Sequence, residues 1–230
     1  MLINSYRFAS AATSDPNFAN VSLLLHGNGA NGSTTITDSS PSPKTVTAVG
    51  NAQISTAQSK FGGASIAFDG TGDYLSTPAT SAFVFGTDDF TIELWVRFAT
   101  ITGIQALYDQ RLAVTPGPQP TLYTNGSSLF YFFNNANRIT IATVSTNQWY
   151  HVAISKQGSS MRAFIDGVQG GSTYVDSTSY TTGANVLVGA DFIGPGGSGL
   201  NGYIDDLRIT KGIARYTANF TPPTAPFPDS

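Results

Sequence analysis

Cysteine is absent from the chain, so disulfides, thiolate metal sites and cysteine nucleophiles are excluded at the outset. Glutamate is nearly absent too, with Glu93 standing alone. Only two histidines, His26 and His151, are available as bases near neutral pH. Charged residues make up 11% of the chain, less than half of the roughly 25% usual in globular domains. The formal net charge is −3, and the few Lys and Arg stand singly rather than in a stripe. Nucleic-acid binding needs clustered cations to displace phosphate counterions, so it is not expected. No apolar run approaches the roughly 18 to 20 residues that span a bilayer, so membrane insertion is not expected either. The start, "MLINSYRFASAATSDPNF", lacks a basic leader and a continuous apolar stretch, and does not read as a secretory signal.

What the chain has in quantity is glycine, serine, threonine, asparagine and aromatics, the composition of all-β surface proteins. Its 230 residues suffice for one large β-domain with an unstapled core. Residues 1–20 show no clean period and end near the turn residues Ser14, Asp15, Pro16 and Asn17. They read as an N-terminal arm for attachment or oligomerisation, or as a disordered terminus. Residues 21–216 carry short alternating or apolar runs set between Gly, Asn, Pro and Ser, and no comparable helical stretch. The runs Val21–His26, Thr45–Val49, Ala64–Phe68, Phe90–Phe98, Leu129–Asn134, Arg138–Thr143, Tyr150–Lys156, Met161–Ile165, Val186–Val188 and Asn201–Thr210 are predicted strands. "WYHVAISK", "GSS" and "MRAFIDG" predict a hairpin, with Asp166-Gly167 supplying residues that tolerate positive φ in the next turn. Many short strands at this spacing predict an all-β, two-sheet antiparallel sandwich or jelly roll. "TPGPQP" and "IGPGGSGLNG" read as loops, and residues 217–230 as a Pro-rich extended tail.

Chemistry is sparse. A sandwich glycosidase needs two facing carboxyls, about 5 to 5.5 Å or 6.5 to 9.5 Å apart. The lone Glu93 and the adjacent pair Asp205-Asp206 do not supply them on a regular strand. No G-x-S-x-G elbow is present, and His151 within "WYHVAIS" reads as a packed strand residue rather than a base. Period-2 alternation places Asp205 with Tyr203, Leu207 and Ile209, toward the expected core. There it is a catalytic carboxylate, a calcium ligand or a buried acid held by hydrogen bonds. Calcium takes six to eight oxygens, for which Asp38, Asp69, Asp73 and Asp205 are the candidate suppliers; Asx turns are the alternative role. The aromatics of "LYTNGSSLFYFFNN" could stack on sugar rings, but alternation puts Phe130 and Phe132 on one face and Tyr131 and Phe133 on the other, so at least half of them belong to the core. Trp95 and Trp149 read as core.

The segments "VSLLLHGNGANGSTTITDSS", "FGGASIAFDGTGDYL", "DDFTIELWVRF", "NQWYHVAISKQGSSMRAFIDGVQ" and "LNGYIDDLRITKGIARYT" follow one another in the order seen in laminin G-like domains. Over roughly residues 20 to 216 the chain resembles these concanavalin A-like jelly rolls. The ending "DDLRITKGIARYTANFTPPTAPFP" is similar to a terminal segment of bacteriophage structural proteins. The resemblance implies a virion protein on tail fibre or capsid surface, released by lysis. Its implied partners are other virion proteins, a host surface glycan and further copies of itself in a homo-oligomer. It also implies a calcium ion at the sandwich rim. Asp205 matches the family's G-x-I-D-D/E segment and Asp38 the aspartate before the early "SS". Asn28 stands where relatives carry an acid after the first strand.

Overall fold

The computed structural model describes residues 14–111, 117–181, 183–192 and 198–230. Residues 1–13 of the expected arm, and parts of the two loop stretches "TPGPQP" and "IGPGGSGLNG", lie outside the described residues.

The alternating runs become strands. In chain order they are β1 (Val21–Leu25), β2 (Thr47–Val49), β3 (Gln53–Ser55), β4 (Ser65–Asp69) and β5 (Tyr74–Thr77). Then come β6 (Phe90–Phe98), β7 (Ile104–Asp109), β8 (Thr121–Asn125), β9 (Ser128–Phe133) and β10 (Ala136–Thr143). The last are β11 (Trp149–Gln157), β12 (Ser160–Ile165), β13 (Val168–Val175), β14 (Val186–Val188) and β15 (Asn201–Lys211). The only helices among the described residues are two 3₁₀ turns, Phe18–Asn20 and Ser81–Phe83.

The strands form two antiparallel sheets packed face to face, as expected of a concanavalin A-like jelly roll. The eight-stranded sheet runs β13–β12–β11–β6–β15–β4–β3, with β1 paired to the second half of β15. The seven-stranded sheet runs β10–β9–β8–β7–β14–β5–β2. The core lies between them and follows the period-2 rule. Phe90, Ile92, Leu94, Val96 and Phe98 of β6 are all fully buried, facing Leu122, Leu129, Tyr131 and Phe133 from the other sheet. The β12–β13 hairpin turns on Asp166 and Gly167 with φ of 46° and 77°, the twin positive values of a type I′ turn.

Five strands went unpredicted: β3, β5, β7, β8 and β13. The first two are short. β13 contains Gly170 and Gly171, which weaken a strand pattern. They are needed because a Cβ on Gly170 would sit 1.9 Å from the Ile141 carbonyl oxygen of β10, where the two sheets close on each other.

A more consequential correction concerns β15. Its pairing with β6 shifts register between Asp205 and Arg208, and Asp206 takes φ 49°. This β-bulge resets the alternation. Ile204, Leu207 and Ile209 face the core, while Asp205 lies opposite Trp95 on the outer face of the eight-stranded sheet. The expected grouping of Asp205 with Leu207 and Ile209 therefore fails. The Pro-rich tail does not lead away from the domain: Phe227 packs with Val21, Leu24 and Phe18.

Candidate functional site

Two outer faces compete for function, and the catalytic candidates of the sequence fall on the one that is closed. On the eight-stranded sheet, Glu93, Trp95, His151 and Asp205 project outward yet are all buried. The tail covers Glu93 and His151, where Tyr216 and Phe220 stack at 3.6 Å and His151 meets Phe220 and Phe227 edge-on, while Lys60 and Phe61 lie against Trp95. Arg208 donates to Glu93 Oε1 through Nε and Nη2 at 2.9 and 2.7 Å, and its guanidinium lies 3.9 Å over the Phe227 ring. Tyr216 Oη donates to Glu93 Oε2 at 2.6 Å, as does His151 Nε2 at 3.2 Å. Asp15 closes the network, accepting from Arg215 at 2.6 Å and Arg208 at 3.1 Å. Burial would raise the Glu93 pKa, but the Arg208 charge and the His151 hydrogen bond outweigh it and hold the carboxyl at about 2. Glu93 is thus a locked anion inside a dry network, without access for a substrate.

Asp205 has a structural task. Its Oδ2 accepts the backbone N–H groups of Lys60 and Phe61 at 2.7 and 3.0 Å, tying β15 to that loop. Its Oδ1 is buried with no hydrogen-bond partner. Burial raises its pKa to about 6 against the lowering effect of those two amides. His26 bonds the neighbouring Asp206 at 2.7 Å, and Asp206 also accepts the Phe227 N–H.

Asp38 accepts from the N–H groups of Leu24 and Ser40 on Oδ1, and from Ser40 Oγ and the Lys44 N–H on Oδ2. Its four acceptor positions are filled by β1 and its own loop, so it offers an ion no further oxygen lone pair. Asp205 has one oxygen to offer. Asp69 and Asp73 likewise serve local turns, on Thr71, Asn51 and the Asp69 N–H. Asp38 and Asp205 share no hydrogen-bond partner, and no cluster of three or more His, Cys, Asp or Glu placed to hold a metal occurs among the described residues.

Among the described residues, no tail covers the outer face of the seven-stranded sheet. Asn137, Phe132, Thr121, Asp109, Leu187, Ser76 and Thr47 are successive register partners, one from each strand. At about 4.8 Å per strand this row runs roughly 29 Å across the sheet. Phe130 and Tyr123 lie beside it as a cross-strand pair with ring centroids 5.5 Å apart. Phe130, Phe132 and Tyr123 are half-buried, whereas Leu129, Tyr131 and Phe133 are in the core, as alternation predicted. Tyr123 Oη donates to Asn137 Oδ1 at 2.6 Å, which fixes the ring.

At the middle of the row sits a charged cluster. Asp109 is fully buried and accepts from Arg111 Nε and Nη2, Thr121 Oγ1 and the Phe192 N–H. Arg111 Nη2 also reaches Asp191 at 3.3 Å, and the guanidinium lies 5.2 Å over the Phe132 ring. Burial would lower the Arg111 pKa, but Asp109 more than compensates and raises it. Asp191 borders two hollows. One, of about 250 Å³, is lined by Ile104, Arg111, Thr121, Tyr123, Phe132 and Asn135. The other, of about 350 Å³, is lined by Tyr74, Ser76, Ala79, Ala184, Asn185, Leu187 and Phe192. Sequence reading found the aromatics of this face but not Asp109, Arg111, Asp191 or Leu187, because β7 was not recognised and the cluster forms only when β7, β8 and β14 align.

A laminin G-type family model, described as the concanavalin A-like lectin/glucanases superfamily, matches residues 69–214. No curated protein matches. Among solved structures, the binding domain of botulinum neurotoxin serotype D/C superposes with a TM-score of 0.63 at 15% identity, covering 85% of this chain and 50% of that one. The DC binding domain in complex with rat synaptotagmin II gives 0.63 and 15%, over 85% and 49%. A mutant Trypanosoma rangeli sialidase displaying trans-sialidase activity gives 0.59 and 14%, over 89% and 32%. The chain spans about half the length of the neurotoxin domains it matches, and at these identities the likeness is one of fold.

Proposed function

The chain belongs to the concanavalin A-like lectin/glucanases superfamily, and from that premise we propose that it is a binding module that takes an oligosaccharide on the outer face of its seven-stranded sheet. The observation that carries this is the open row from Phe132 to Ser76, with Tyr123 and Phe130 beside it and Arg111 at its middle. Half-exposed aromatic faces supply stacking area, and fixed polar groups between them supply orientation, the usual composition of a ligand groove. Binding without catalysis fits the carboxylates. Glu93 is sealed under the tail, and Asp109 already accepts from Arg111, Thr121 and Phe192, leaving it no lone pair for proton transfer.

The setting we assign is a bacteriophage particle, tail fibre or capsid surface, with a host polysaccharide as ligand and virion proteins as neighbours. The resemblance of the chain's ending to phage structural proteins supports it. A homo-oligomer with several copies at one site makes weak sugar contacts effective, because later binding events become intramolecular. Calcium at the rim belongs to the same reading, with Asp205 Oδ1 the oxygen that can serve it. The same module outside a particle would be a secreted bacterial lectin or adhesin.

The test is binding of the purified protein to a glycan array and to host-cell polysaccharides, in calcium and in EDTA, beside the Tyr123→Ala variant. Saturable binding weakened in the variant supports the open face. Binding that Tyr123→Ala leaves intact sinks it, and binding unaffected by EDTA removes calcium. Detecting the protein in purified particles supports the virion setting; finding it only in culture supernatant favours the secreted lectin.

A further inference from the structure

The two hollows that meet at Asp191 differ in chemistry, and the difference narrows the ligand. Around Arg111 and Tyr123 the lining is aromatic and polar, suited to a sugar ring with its hydroxyls. The hollow at the other end, by contrast, is walled by Tyr74, Ala79, Leu187 and Phe192. A hydroxyl placed against Ala79, Leu187 and Phe192 would give up water without gaining a partner, whereas a methyl group would gain from leaving water. The polar side chains of this hollow are Ser76, Asn185, Asp191 and the hydroxyl end of Tyr74. Asn185 accepts the Ala79 N–H on Oδ1 and donates to Ser76 Oγ through Nδ2. That leaves a second Nδ2 hydrogen and the Ser76 hydroxyl hydrogen as donors for a carbonyl oxygen.

Resting on the oligosaccharide reading above, we infer that this hollow receives the acetamido group of an N-acetylated hexosamine, so that the ligand class is a glycan containing 2-acetamido sugars. The methyl enters the apolar part and the carbonyl meets Asn185 and Ser76. Leu187 and Phe132 are three strand spacings apart in the row, roughly 14 Å, so one short oligosaccharide reaches both hollows.

The experiment is calorimetric titration of the full chain with two β-linked trisaccharides, chitotriose and cellotriose. Cellotriose differs from chitotriose by a hydroxyl in place of each acetamido group. Chitotriose is expected to bind at least tenfold tighter than cellotriose. Ala79→Trp, an exposed position on the hollow's wall, fills it without touching the core. It should erase the tenfold preference for chitotriose over cellotriose. Equal affinity for chitotriose and cellotriose, with Tyr123→Ala still weakening both, overturns the acetamido assignment alone. A preference that survives Ala79→Trp also overturns it. Absence of binding to both overturns it together with the oligosaccharide reading.

Discussion

The two outer faces of the sandwich are built from the same materials and put to opposite uses. Each has aromatic rings beside an arginine clasped by carboxylates: Arg208 with Glu93 and Asp15 on the eight-stranded sheet, Arg111 with Asp109 and Asp191 on the seven-stranded one. On the first, the chain's own tail supplies the covering rings, Tyr216, Phe220 and Phe227. On the second, Tyr123, Phe130 and Phe132 remain half-exposed, and Tyr123 and Phe132 line the hollow beside Arg111. A motif of ring plus paired charge therefore says nothing about function until one knows what lies on top of it. Covered, it is a seam that holds a terminus; uncovered, it is a candidate surface for a ligand.

Removing the arginine from the closed face should give the largest effect. Arg208→Ala leaves the fully buried Glu93 without its bidentate partner and strips the cation from the Phe227 ring. Breaking a buried ion pair on one side costs about 3 to 5 kcal/mol. Urea denaturation should show a loss of that size. A loss under about 1 kcal/mol would mean that the tail does not seal Glu93 from water, and the contrast between the faces would collapse.

A smaller effect separates the acids within the closed face by pH. Glu93, held at about 2, contributes stability that is present above its unfolded pKa and is lost as pH falls through 4.5 toward 2. Asp205 works in the other direction: its pKa is raised to about 6, so the folded state holds its proton more tightly than the unfolded one, and stability declines as pH rises from about 4 through 6. His26 declines the same way above its ordinary value, since its bond to Asp206 outweighs burial and raises its pKa. Asp205→Asn keeps an acceptor for the Lys60 and Phe61 amides and removes the charge. It should stabilise the protein at pH 8 by on the order of 1 to 2 kcal/mol, and much less at pH 5. Thermal melts at the two pH values decide it; an equal shift at both would assign the effect to packing.

The sandwich was legible because alternation is local. β6, β9 and the Asp166-Gly167 turn each declare themselves within a few residues, and the split of Phe130 and Phe132 from Tyr131 and Phe133 followed from period 2 alone. What was not legible depends on register between distant segments. The bulge at Asp206 reverses the facing of everything before it, yet nothing in "GYIDDLRIT" marks the extra residue apart from an aspartate able to take positive φ. The cluster of Asp109, Arg111 and Asp191 joins residues some 80 positions apart in sequence. The closing of one face by the tail was equally hidden, because "TPPTAPFP" reads alike whether it lies on a sheet or in solvent.

The smallest expected change in stability belongs to the open face, and it is the most informative. Tyr123→Ala removes a half-exposed ring whose hydroxyl bonds only Asn137, so stability should fall by no more than about 1 kcal/mol. If the face is a groove for a ligand, the same substitution should cost roughly tenfold in glycan affinity, about 1.4 kcal/mol, because the ring borders the hollow beside Arg111. On the closed face, stability and function cannot be varied apart, since Tyr216, Phe220 and Phe227 of the tail pack directly on His151 and Arg208. A variant that folds like the parent and binds less well would therefore locate function on the seven-stranded sheet. One that loses stability as heavily as Arg208→Ala would show that both faces are seams, and that the ligand sits elsewhere.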